Sequence, residues 1–300
     1  MNQTKASKLD QLLKETKEGL QSEHYVADER TITTVSLALS LEKPILIEGP
    51  AGVGKTELAK VISSWKGFPL IRLQCYEGLD EAKALYEWDY KKQLLSLQAR
   101  KGDSSSVNHL FSEEYLLERP LLAAIRSHEQ VVLLIDEIDK AEPEFESMLL
   151  ELLSDFQVTI PELGTVKAVK RPIVVLTSNQ MRNLSEALRR RCLYLYIDYP
   201  NPEREAAIIR ERVPELKEEL VDEVAMALSQ LRNMDLRKAP SVAEAVDWAE
   251  ALLAIGIQTL DVQTVLQTLN VLIKDHTDIE EAKRRLSKIV EGEKHDRQNC

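Results

Sequence analysis

PILIEGPAGVGKTELAK, running from Pro44 to Lys60, is the stretch on which the reading of the whole chain turns. Pro44 to Ile47 is a short apolar run of the kind that forms a buried strand. Gly49-Pro50-Ala51-Gly52-Val53-Gly54-Lys55-Thr56 follows and fits G-x-x-x-x-G-K-[ST], and a helical pattern starts at Glu57. Gly49, Gly52 and Gly54 admit tight or left-handed backbone closed to residues with a Cβ. Such a backbone turns successive N–H groups inward as a nest for phosphate oxygens. The helix beyond Gly54 adds unpaired N–H groups and the positive end of its dipole. In that frame Lys55 reaches the β- and γ-phosphates of a nucleotide, and the Thr56 hydroxyl ligates Mg²⁺. The alternative, a glycine-rich turn that binds nothing, has to ignore the strand before it and the helix after it.

Composition narrows the partners. Three hundred residues fit about two domains. A hydrophobic share of 44% is enough for a proper core. Fifty acidic against 39 basic residues leave a net charge of −11, which argues against a nucleic-acid backbone as the main partner. Cys75, Cys192 and Cys300 match no metal or disulfide spacing, and the first two lie in apolar strand-like runs, as buried thiols do. The histidines form no pair at ligand spacing, so no protein-held transition metal is expected. The polar N-terminus lacks the apolar core of a signal peptide. No run approaches the ~20 apolar residues of a membrane span, so the expected compartment is the cytoplasm.

Working outward, the periodicity predicts helices over residues 7–21 and Tyr25–Leu41 before the glycine loop. Tyr25 and Val26, just ahead of the loop's strand, are candidates for adenine contact. After a helix at Lys55–Trp65 comes a strand at Pro69–Cys75. Leu79, Ala82, Leu85 and Trp88 then recur at helical spacing, as do Leu94, Leu95 and Leu97. Lys101–Asn108 is a polar loop, either a mobile insertion that touches a partner or a plain connection, and a helix is predicted over Ser112–Ser127.

Val131 to Asp139, VVLLIDEID, is the second informative stretch: a buried strand with acids at its end. Asp136 is placed to hold Mg²⁺ through its water shell, and Glu137 to orient and polarise an attacking water. A helix at Glu144–Phe156, a hairpin over Gln157–Lys170 and a buried strand at Pro172–Asn179 follow. Asn179, at that strand's end, is within reach of the γ-phosphate or the water. Ser185–Arg191, SEALRRR, is a short helix with three arginines ahead of a strand at Cys192–Asp198. The arginines read as a solvated face or as the source of an arginine finger. Asn201-Pro202 marks a boundary, beyond which only helical periodicity remains, at about 203–213, 216–233, 241–255, 262–273 and 278–290.

The order of these stretches resembles an AAA+ ATPase. PILIEGPAGVGKTELAK, CYEGLDEAKALYEW, LLIDEIDKAEPEFESMLLELLSDFQVTIPELG and SEALRRRCLYLYIDYP together resemble the MoxR family. The last of them, with KAPSVAEAVDWAEAL, is most similar to the branch tied to carbon monoxide dehydrogenase maturation. The resemblance spans about residues 23–255. It implies an α/β fold, a three-layer αβα P-loop domain with a parallel sheet at 23–200, behind an N-terminal helix at 1–22. An all-helical lid at 201–290 and a disordered tail at 291–300 complete the expected organisation.

It further implies ATP and Mg²⁺ as ligands and a self-assembled ring, usually a hexamer, with active sites between subunits. By motif, Gly49–Thr56 corresponds to Walker A, Asp136 and Glu137 to Walker B, and Asn179 to sensor 1. Arg191, then Arg190 and Arg189, is the choice for a finger acting in the neighbouring subunit. The lid's sensor 2 arginine has no counterpart in Ala239-Pro240-Ser241-Val242, which leaves Arg237 or Lys238 as substitutes. The hairpin corresponds to an insert used towards partners or the pore. Family members pair with a protein bearing a von Willebrand factor A domain and assist maturation, metal cofactor insertion or activation of a client enzyme. Two alternatives stay open: a nucleotide-dependent scaffold, and a nucleic-acid-directed motor.

Overall fold

The computed structural model describes residues 2–99, 110–234 and 236–286; the polar stretch Lys101–Asn108, Cys300 and the tail lie outside them. The chain forms two compact units. One comprises Met1–Glu23, Ala27–Gly49 and Lys55–Tyr196, the other His24–Val26, Pro50–Gly54 and Ile197–Cys300.

In the first unit, helices α1 (Asn2–Ser22) and α2 (Glu29–Leu41) precede strand β1 (Ile45–Glu48). Then come α3 (Lys55–Lys66), β2 (Leu70–Gln74), α4 (Glu81–Ala84), β3 (Tyr86–Trp88), α5 (Tyr90–Ala99), β4 (Leu116–Glu118) and α6 (Pro120–Arg126). The unit ends with β5 (Val132–Asp136), α7 (Pro143–Asp155), β6 (Gln157–Ile160), β7 (Gly164–Lys167), β8 (Ile173–Ser178), α8 (Glu186–Arg189) and β9 (Leu193–Tyr196). Five strands pair in parallel in the order β2-β5-β8-β1-β9. Every residue of β1 and β5 is buried, as in a strand covered on both faces. Because the strands run parallel, β1, β5 and β8 all end at one edge of the sheet, where α/β proteins place their ligands.

Local physics moved three predicted elements. Helix α2 starts at Glu29 rather than Tyr25, because the Asp28 carboxylate caps it, accepting the Thr31 N–H at 2.7 Å. Tyr25 and Val26 thus lie outside any helix. The helical spacing of Leu79 to Trp88 yields only the short α4, after which β3 pairs antiparallel with β4. The helix predicted over Ser112–Ser127 is shortened by the same pairing and begins at Pro120, whose missing N–H costs nothing in a first turn. The hairpin prediction holds: β6 and β7 pair antiparallel, with Gly164 at φ 84° closing the turn.

The second unit gathers α9 (Pro202–Arg212), α10 (Glu218–Arg232), α11 (Val242–Ala254), α12 (Val262–Leu272) and α13 (276–286). Trp248, fully buried, anchors its core and donates its indole N–H to Thr268 at 2.8 Å. The buried carboxylate of Glu205 pairs with Arg232, which also donates to the Pro240 carbonyl and faces the Tyr199 ring at 4.8 Å. Burial pushes the Glu205 carboxyl up, against the pull of that arginine.

Candidate functional site

The glycine loop leaves β1 at Glu48, and α3 begins at Lys55. Lys55 is buried, and its ammonium donates to the Gly49 carbonyl and to Asn179 Oδ1, both at 2.8 Å. Burial lowers its pKa to about 8, although Asp139, Asp136 and Glu137 pull the other way. The Thr56 hydroxyl donates to Asp136 Oδ1 at 2.9 Å. Asp136, the last residue of β5, also accepts from the Thr177 hydroxyl and, at Oδ2, from the Arg72 guanidinium.

Glu137 stands next to it in left-handed backbone, φ 57°. Its N–H donates to Thr177 Oγ1 at 2.9 Å, which fixes the turn that strained conformation requires. Its carboxylate accepts from Gln74 Nε2 and Lys140 Nζ, each at 2.7 Å, and from Asn179 Nδ2 at 3.3 Å. Asn179 therefore touches both Lys55 and Glu137. Lys55, Thr56, Asp136, Glu137 and Asn179 are thus brought together from three strand ends, as parallel pairing dictates.

Several members of this cluster escape motif reading. Arg72 and Gln74 alternate with buried Leu73, so both face the same side of β2, and Gln74 sits opposite Asp136 in the strand register. The R-x-Q spacing is the signal that would have found them. Asp139 accepts the N–H groups of Asn179 and Met181 at 3.1 and 2.9 Å and so fixes the start of the loop after β8. Its other oxygen, buried, has no hydrogen-bond partner among the described residues. Cys75 lies behind the cluster, and burial drives its thiol up to about 12, out of reach of thiolate chemistry. Cys192 is only half-buried by area, yet burial likewise pushes it to about 12.

Pro50–Gly54 belongs to the second unit. Gly52 has φ 76°, and a Cβ there would lie 2.3 Å from the Ser241 Cβ; Gly54 has φ 93°. Both conformations and the close approach explain why these positions are glycine. Ala51 is exposed, whereas Val53 is buried. The Gly52 carbonyl accepts the Val242 N–H at 3.1 Å, at the start of α11, where Ser241 and Glu244 form a capping box. Tyr25 is buried with its ring edge 3.9 Å from the position of a Gly54 Cβ, and the Val26 carbonyl accepts from Arg204 at 3.1 Å.

The arginines join other partners. Arg189 pairs with Glu48 at 2.7 Å, Arg190 with Glu186 at 2.6 Å on the surface, and Arg191 donates to the Ala187 carbonyl and to Ser154. The side chains of Arg237 and Lys238 are exposed, near Asp275 and Glu244 respectively.

The residues present fit a magnesium nucleotide. Hydroxyl and carboxylate oxygens are the hard donors Mg²⁺ takes. Lys55 supplies a positive charge of the kind that meets a phosphate.

A parallel sheet with this order, a glycine loop after β1 and paired acids ending β5 is the P-loop AAA+ fold, followed by a helical C-terminal region. Residues 44–192 match the family described as the AAA domain of the dynein-related subfamily, and this part of the chain is similar to that family. An uncharacterized protein of Staphylococcus aureus (strain bovine RF122 / ET3-1) is 26% identical over 259 residues, covering 82% of this chain and 92% of its own. One of Staphylococcus haemolyticus (strain JCSC1435) is 24% identical over 262 residues, covering 83% and 93%. Two solved structures of RuvB mutants from Thermotoga maritima superpose with TM-scores of 0.52 and 0.51, at 19% and 20% identity. They cover 85% and 83% of this chain and 73% and 70% of theirs, and they share its fold.

Proposed function

We propose that this protein hydrolyses ATP and uses the energy to remodel a client protein, as a ring of copies of the MoxR type. The observation that carries the ATPase reading is the convergence of Lys55, Thr56, Asp136, Glu137 and Asn179 at one sheet edge. The loop amides and Lys55 bind the β- and γ-phosphates, and Tyr25 and Val26 take the adenine. Thr56 and Asp136 would hold Mg²⁺, which would supply charge neutralisation at the phosphoryl oxygens. Glu137 orients a water in line with the γ-phosphate and accepts its proton. Asn179, bonded to both Lys55 and Glu137, positions that water against the phosphate. The water oxygen bonds to the γ-phosphorus as the bond to the bridging β,γ oxygen breaks. The phosphoryl group and the water's oxygen leave as inorganic phosphate, Glu137 passes the proton to solvent, and ADP stays on the loop.

An arginine from a neighbouring copy completes the site, Arg191 first, then Arg190 and Arg189. Supporting this is the exposure of Arg190 and the succession of Arg189, Arg190 and Arg191 as the last residue of a short helix, its cap and the residue after it. Residues 201–290 act as the helical lid, in which Arg237 or Lys238 stands in for the sensor 2 arginine that Ala239-Pro240-Ser241-Val242 lacks. The ring is hexameric and works in the cytoplasm with a von Willebrand factor A domain partner on the maturation, metal cofactor insertion or activation of a client enzyme; sequence resemblance alone supports these last roles. Among the described residues no helix is long and apolar enough to cross a membrane.

Steady-state hydrolysis by wild type and Glu137→Gln tests the reading. Wild type turns over ATP, and the variant binds it with a rate lowered by about 10²- to 10⁴-fold. Equal, negligible rates at concentrations that form rings would leave only the scaffold.

A further inference from the structure

Glu48 is the last residue of β1, directly before the glycine loop, and its side chain is 1% exposed. A buried carboxylate is costly unless it is paired and fully hydrogen-bonded, and this one is. Oε1 accepts from Arg189 Nη2 at 2.7 Å. Oε2 accepts from Gln180 Nε2 and from the Tyr194 hydroxyl, both at 3.0 Å. The Arg189 guanidinium also lies 5.9 Å from the Tyr194 ring centre.

The three partners are not equivalent. Gln180 follows Asn179 and has φ 60°, so its own backbone is constrained. Arg189 is the last residue of α8, the helix that leads into Arg190 and Arg191. Tyr194 is on β9, which pairs with β1. Two adjacent residues thus grip two adjacent residues: Gly49 and Asn179 through Lys55, and Glu48 and Gln180 directly. From the same carboxylate a third arm reaches the arginine-bearing helix. A hydrophobic residue would fill the space beneath β1 as well, and would leave Arg189 without its counter-charge.

We propose that Glu48 is a positioning residue for hydrolysis in the neighbouring copy: its buried carboxylate locks α8, and with it Arg190 and Arg191, to the end of β1 in its own subunit. The proposal rests on the reading that an arginine of this cluster acts across subunits. Glu48 touches neither the nucleotide nor the reacting atoms; it holds the helix that presents the arginines. Its loss removes no group of the subunit's own Lys55–Glu137 cluster and spoils what that subunit offers its neighbour.

Mixed assemblies test this. Glu48→Gln protein alone shows a kcat lowered on the order of 10- to 100-fold, part of what an arginine finger contributes, with KM and ADP affinity within about threefold of wild type. Mixed one to one with Glu137→Gln protein, whose own site is dead and whose arginines are intact, it recovers at least about threefold more activity than the two proteins give separately. A mixture no more active than the sum overturns the proposal. Arg191→Ala and Arg190→Ala proteins, each mixed with Glu137→Gln in parallel, separate the two claims. Recovery by an arginine variant without recovery by Glu48→Gln overturns the role of Glu48 alone; recovery by none, with wild type active, overturns the finger reading. Tyr194→Phe removes one bond to Glu48 at a half-exposed position. It gives the same pattern in weaker form, and carries the test should Glu48→Gln fail to fold.

Discussion

Lys55 is the residue where opposing forces are closest to balance. Burial alone would neutralise it, while the carboxylates of Asp139, Asp136 and Glu137 favour its charge, leaving its pKa at about 8. The protonated amine is the form that meets phosphate, so affinity is full below that value and is lost as pH rises through it. Between pH 7 and pH 9, ADP affinity should fall about tenfold, as read by calorimetry; a flat profile would mean that Lys55 does not contact the phosphates. Arg72 makes a second residue-scale prediction. Its guanidinium bonds the Asp136 oxygen not used by Thr56. Arg72→Ala should alter the Mg²⁺ concentration that half-saturates hydrolysis by severalfold, since a half-exposed guanidinium contributes up to about 1 kcal/mol to its carboxylate partner; an unchanged value would make Arg72 a bystander. The glycine loop and the acids of VVLLIDEID are legible in sequence because motif spacing encodes them. Arg72, Asp139 and Glu48 are not, because their roles come from strand register and from contacts across 40 to 141 residues of chain.

Elements differ in how far local pattern determines them. Strands β1, β5 and β8 are continuous apolar runs and are read correctly, as buried parallel strands are. The β3–β4 pair is missed: three residues each, separated by a helix and a polar stretch, they carry helical spacing on one side and find each other only in the fold. Packing gives a test at this scale. α1 docks on α3 so closely that a Cβ on Gly19 would lie 1.9 Å from the Trp65 ring. Gly19→Ala should destabilise the protein by about 1–3 kcal/mol through overpacking, measured by urea unfolding; an unchanged midpoint would mean that Trp65 moves aside freely. In the helical unit, α9 and α10 are tied by the buried Glu205–Arg232 pair. Removing one partner strands a buried charge, so Glu205→Ala should cost about 3–5 kcal/mol, whereas a loss under about 1 kcal/mol would show the pair to be solvated.

At the scale of the molecule, the proposed hydrolysis draws on two features the sequence announces separately: a phosphate loop with its acids, and arginines at the end of a short helix whose own contacts point elsewhere. Within one chain Arg190 and Arg191 bond Glu186, Ala187 and Ser154 rather than the Lys55–Glu137 cluster. Hydrolysis per subunit is therefore expected to rise with protein concentration until assembly is complete, and to plateau there. All of it presupposes that the glycine loop, Lys55, Thr56 and Asp136 together hold a magnesium nucleotide. The direct measurement is calorimetric titration of ATP into Glu137→Gln protein, with Mg²⁺ and with chelator, alongside the Lys55→Ala variant. Saturable binding that requires Mg²⁺ and is lost with Lys55 is the predicted result; no binding, or binding indifferent to both, would contradict the account.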